Sequence, residues 1–192
     1  MIRALHSGAR TDRRRPLIRV LRAEWTKTRT LPGTFWLLTA SAVAATFGRT
    51  GVRVGQVAIV VLAVLVIGNE YGTGLIRPTL TAIPSRAAVY AGKLTVVAAG
   101  GAVTGGTQAM YLTLIAAYSL GIAAVLRDSA GAVVTVLATL FVTPLLARLV
   151  GDPEWQRRLT AYSPMTASLR VLAGYTAAAV LAGLVCFCLR DA

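Results

Sequence analysis

Glu70 and Arg77 stand seven positions apart where a long apolar run ends, a separation close to two helical turns. On one continuous helix that spacing brings a carboxylate and a guanidinium to the same face, where they can pair with each other, or Glu70 can meet a basic residue nearer the N-terminus. The chemistry such a pair offers is recognition and anchoring. Bond-making needs a placed nucleophile, a base or a metal cluster, and these the sequence does not supply. The single histidine is His6, no acid lies inside an apolar run, and Ser41, Ser119 and Ser129 have no His or Lys nearby in sequence to activate them. There is no H-E-x-x-H. A phosphate-binding loop is also missing, since Gly92-Lys93 is followed by Leu94 and has Ala87 where the first glycine of G-x-x-x-x-G-K-[ST] belongs. An enzyme is therefore not expected.

Cys186 and Cys188 are the only cysteines, two apart in the last apolar run, where a helix points them about 200° from each other. They cannot sensibly pair together, and without nearby His or acidic partners they make no metal site. Small apolar fillers are the expected role, and no cofactor is expected.

The elements that must position Glu70 and Arg77 are membrane helices. Hydrophobic residues make up 56% of the 192 and charged residues 14%, against roughly 25% charged in soluble domains, and the mean hydropathy is +0.67. A net charge of +13 invites a nucleic-acid reading. Nine of the twenty basic residues, however, lie between Arg3 and Arg29, and most others fall between apolar runs, a placement that fits membrane topology. Basic residues beside spanning segments stay cytoplasmic, so the N-terminus is expected inside, and no nucleic-acid partner is expected. Arg14-Arg15 loosely resembles a twin-arginine signal, but Arg19, Arg22, Glu24 and Lys27 interrupt what should be an apolar stretch, so no cleavage is expected.

Residues 1–29 divide into a basic tail and an interfacial elbow helix. Leu17, Leu21 and Trp25 recur every four residues, while Arg19, Arg22, Thr26 and Arg29 fall on the other side. That pattern lays an apolar stripe in the acyl boundary of the lipid bilayer and basic groups among headgroups, each such contact being worth about 1 kcal/mol. Leu21, Glu24, Trp25, Lys27 and Arg29 mark the elbow.

Residues 30–192 read as a single transmembrane domain. Uncharged windows run over 30–48, 54–69, 94–126, 129–147 and 171–189. The second is short, about 24 Å of helix against a hydrocarbon core of about 30 Å, so it must extend past Arg53 or sit in a thinned bilayer. The third is too long for one ordinary span. Gly100, Gly101, Gly105 and Gly106 permit an outside turn near its middle, while the alternative is one tilted helix with Gly101 and Gly105 as a GxxxG packing motif. With the turn, the fold is all-α: a polytopic membrane protein of about six transmembrane helices preceded by the amphipathic helix, with spans near 31–49, 52–69, 86–104, 107–126, 129–149 and 170–189. Both termini and the loop 70–86 are then cytoplasmic, in the plasma membrane, and the segment 151–165 falls outside despite Arg157 and Arg158. Trp36 and Trp155 suit interfaces, and Tyr111, Tyr118 and Tyr175 are expected in the core or facing lipid rather than along a path. The presumed path shows neither charge nor a polar cluster.

From Glu70 the chain reads EYGTGLIRPTL, and this resembles membrane subunits of the type-two ABC exporters, in which an acidic-aromatic pair is followed by T-G-x-I-R-x-T-L. The matching residues are Glu70, Tyr71, Thr73, Gly74, Ile76, Arg77, Thr79 and Leu80. The N-terminal RAEWTKTRTLPGTFWLL resembles that family's elbow entering its first span, and YLTLIAAYSLGIAAVLRDSAGAV resembles its fourth and fifth spans. The resemblance implies a dimerising six-helix permease, as homodimer or with another permease, that exports a substrate when a separate ABC ATPase subunit docks on Glu70, Tyr71, Thr73, Gly74, Arg77, Thr79 and Leu80. The chain is shorter than that family's usual subunits in its outside connections, and Pro78, which the pattern does not require, disfavours helix at Arg77. The alternative is a degenerate, non-transporting subunit that anchors or regulates an ATPase or another permease.

Overall fold

A computed structural model of the chain describes residues 26, 36, 37, 39–41, 43, 47–82, 86–103, 108–149, 153–162 and 169–190. The elbow residues Leu21, Glu24, Trp25, Lys27 and Arg29 lie outside these, as does most of the first expected span. Regular structure among the described residues is entirely helical, with no strand. In order come α1 (Gly48–Gly72), α2 (Ile76–Ala82), α3 (Arg86–Val103), α4 (Ala109–Leu126) and α5 (Ser129–Leu137). A π-helical turn (Ala138–Val142) then leads into α6 (Thr143–Leu149), followed by α7 (Pro153–Tyr162) and α8 (Leu169–Arg190). Among the described residues four stretches are long and apolar enough to cross a membrane: Gly51–Gly72, Ala109–Leu126, Ser129–Leu146 and Leu169–Leu189. The expected span near 86–104 corresponds to α3, which has the length but carries Arg86 and Lys93 and is not among the four.

The short second window is extended by its flanks. α1 runs for 25 residues, through Arg53 to Gly48, which at 1.5 Å per residue is about 37 Å and enough for a hydrocarbon core. The long third window contains two helices, one ending at Val103 and the next beginning at Ala109, rather than one tilted span; Gly105 of the expected GxxxG pair lies outside the described residues. Gly101 instead seats α3 against α4, since a Cβ there would lie 2.7 Å from the Cα of Thr113. The expected span near 129–149 is helical throughout, with a π-helical turn immediately before Pro144, which has no N–H to give to Leu140.

α4 is the central helix, packed against α8, α3, α1 and α5. One face meets Ile59, Ile67, Val89, Val97 and Phe187, and another meets Val60, Val136, Leu140 and Leu172. Surrounded by lipid, such helices gain little from hydrophobic exclusion and associate through close packing and interhelical hydrogen bonds. Gly121 on α4 shows this: a Cβ there would lie 2.5 Å from the carbonyl carbon of Ala179 on α8. Beside it, Thr176 Oγ1 donates to Leu114 O at 3.1 Å and Tyr90 Oη to Val180 O at 3.2 Å. The segment 151–165, expected from sequence as an outside connection, contains the helix α7, which opens on Pro153 and has Glu154 in its first turn, both favourable at a helix start.

Candidate functional site

α1 ends because two glycines lie at the apolar-to-polar boundary and the chain takes up their freedom at the second. Thr73 donates from both its N–H and its hydroxyl to Asn69 O, Gly74 N–H donates to Tyr71 O at 3.2 Å, and Gly74 adopts φ +70°, a conformation costly for any residue with a Cβ. α2 then begins at Ile76. Its start is closed by Thr79, whose N–H and hydroxyl both donate to Leu75 O, at 3.2 and 2.9 Å. Pro78 falls in the first turn, where its missing N–H breaks no helical bond, so it accommodates a new helix instead of ending an old one.

Glu70 and Arg77 do not share one continuous helix, and Glu70 pairs with Lys93 on α3, Nζ to Oε1 2.9 Å. Lys93 also donates to Val66 O at 3.1 Å and is fully buried, while the Glu70 side chain is 8% exposed. The side chain of Arg77 lies outside the described residues. Of the other expected docking residues, Thr73 and Gly74 are exposed, and Tyr71, Thr79 and Leu80 are half-buried, with Tyr71 and Leu80 against the core. Glu70 itself faces inward. The loop therefore presents Gly72 to Leu75, with Pro78 and Thr81 also exposed, and fixes its base through Glu70 and Lys93.

Two further elements meet this end of the bundle. Arg127, in the left-handed conformation at φ 57° between α4 and α5, places its guanidinium 5.2 Å from the centre of the Tyr71 ring. Asp128 caps α5 by accepting from Gly131 N. Arg86 Nη1 donates to Cys188 O at 3.0 Å, tying the start of α3 to the end of α8. Both cysteines are half-buried free thiols.

Besides Lys93 and Glu70, the interior holds Gln56, 1% exposed on α1, whose Oε1 accepts from Tyr111 Oη at 3.2 Å. The amide Nε2 and the hydroxyl of buried Ser41, which packs on Gly55, have no hydrogen-bond partner among the described residues. Tyr118 is buried and Tyr175 is 39% exposed. Trp155 is exposed on α7 with Arg158 beside its ring. Lys93 carried a usable signal in the sequence: a lone cation within an expected span needs a partner, and Glu70 is the acid at the facing helix end. Gln56 carried none that separates it from a loop-facing amide.

Among the described residues no group of His, Cys, Asp and Glu is placed to hold a metal ion. Chemically, the arrangement provides a short exposed turn and helix on a clamped base, a geometry for binding a partner. Compared with models of known protein families, with curated proteins and with solved structures, the chain matches none.

Proposed function

We propose that this chain is the permease subunit of an ATP-driven exporter of the type-two ABC class, working with a separate ATPase that docks on the turn and helix from Gly72 to Ala82. The observation that carries the reading is the form of this segment, a turn and a short helix held between two bundle helices that Glu70 and Lys93 tie together. A partner that moves such a segment moves α1 and α3 with it. The sequence likeness of Glu70 to Leu80 to that family's loop points the same way. In this reading α3 and the first, largely undescribed segment complete six spans behind an interfacial elbow, both termini face the cytoplasm of a plasma-membrane protein, and the domain pairs with a second copy or another permease. The polar seam of Gln56 and Tyr111 favours an amphipathic cargo over a wholly apolar one.

Copurification with an ABC ATPase, followed by ATP-dependent movement of substrate in vesicles, tests the proposal. Retention of the ATPase with vesicle transport supports it. Retention without transport, with any second permease, supports instead a tethering subunit, and absence of retention removes both.

A further inference from the structure

We infer that α3 is a conditional membrane span, one whose insertion depends on Glu70 of the preceding span. The inference rests on the six-span reading and is independent of transport. α3 is the described helix of span length that does not qualify by composition, and its two cations account for the shortfall. They are placed differently. Arg86 is the first residue of the helix, where a long side chain can reach the interface, and it donates to Cys188 O on α8. Lys93 lies seven residues further on, about 10 Å along the axis, as the eighth of the eighteen residues of α3. There it is fully buried, and its ammonium is held by two groups of α1, the Glu70 carboxylate and the Val66 carbonyl.

Order of synthesis separates the two contacts. α1 precedes α3 along the chain, so the partner of Lys93 is already present when α3 enters the bilayer, whereas the partner of Arg86 arrives with the last helix. A lysine near a helix centre opposes insertion strongly when it stands alone, and a carboxylate waiting on the neighbouring span removes that opposition. Glu70, at the end of the first well-described span, is thus a receiving group for the helix that follows. The loop between them is consequently closed at its base as soon as α3 is in place.

The experiment uses the full chain with Cys186 and Cys188 replaced by Ala and one reporter, Leu75→Cys before α3 or Gln108→Cys after it. A membrane-impermeant maleimide is applied to intact cells and to inverted vesicles, and the signal is normalised to full-length protein. Without further changes, the two reporters are expected to label from opposite sides. Glu70→Gln is expected to lower labelling of Gln108→Cys from its own side about ten-fold, well within what an unpaired central lysine costs. Adding Lys93→Leu to Glu70→Gln is expected to bring that labelling back within about two-fold, which a general folding defect caused by Glu70→Gln would not allow. Unchanged labelling in Glu70→Gln, or no recovery on adding Lys93→Leu, overturns the inference while leaving the six-span reading intact. Labelling of both reporters from one side without further changes overturns the span reading itself.

Discussion

Gly121→Ala adds one methyl group at the closest approach of the two longest-packed helices, and its effect can be worked from the contacts. The new Cβ would lie 2.5 Å from Ala179 C, 2.6 Å from Ala179 O and 2.8 Å from Val180 N, all backbone atoms that no rotamer change can move. Restoring ordinary contact requires α8 to retreat by about 1 Å, and forced overpacking of this kind costs about 1–3 kcal/mol. The same retreat stretches the bonds from Thr176 to Leu114 O and from Tyr90 to Val180 O, each worth about 0.5–1.5 kcal/mol. Against this stands a gain of about 1 kcal/mol from replacing glycine in a helix. The net expectation is a loss of about 1–5 kcal/mol. Gly174→Ala, on the same helix α8 with nothing within 4 Å of the added Cβ, keeps the helix gain without the clash and serves as the control. Denaturant unfolding in detergent, followed by helical signal, measures both. If Gly121→Ala is as stable as Gly174→Ala, the packing of α4 on α8 described above is wrong.

Two other substitutions probe local structure. Asp128→Ala removes the cap of α5 and is expected to cost about 1 kcal/mol in the same unfolding assay, whereas Asp128→Asn retains most of it. The pair Gln56→Leu with Tyr111→Phe replaces a buried hydrogen bond and the unpartnered end of an amide by apolar groups, and is expected to leave stability unchanged or raise it by up to about 1 kcal/mol, while Tyr111→Phe alone lowers it by about that amount.

The helices were legible where long apolar runs ended at charges or glycines, because in lipid an uninterrupted apolar stretch has few alternatives to a helix. α1 ends in a turn through Gly72 and Gly74. What the sequence concealed was the consequence of that turn. The Glu70–Arg77 spacing is meaningful only on a continuous helix, and once Gly74 takes its left-handed conformation, tertiary packing decides the partner of Glu70. Lys93 stands just ahead of the uncharged window 94–126, and charge counting along a chain does not show which helix will lie opposite. α7 was hidden for a different reason. Its residues are too polar for a span, and a short surface helix needs only a proline at its start and a few favourable residues to form.

The central claim is that the segment from Gly72 to Ala82 binds a separate ATPase, and it is tested most directly by copurification of that ATPase with loop variants of the intact chain. Gly74→Val forces a branched side chain into a left-handed backbone position with open space around it, so it alters the turn without touching the bundle core. Leu75→Asp places a charge on an exposed apolar residue of the same turn. The account predicts that each variant folds as the wild type does, judged by unfolding midpoint within a few degrees, and retains at least about ten-fold less ATPase, equivalent to 1.4 kcal/mol of lost binding. Undiminished retention in both variants would contradict it.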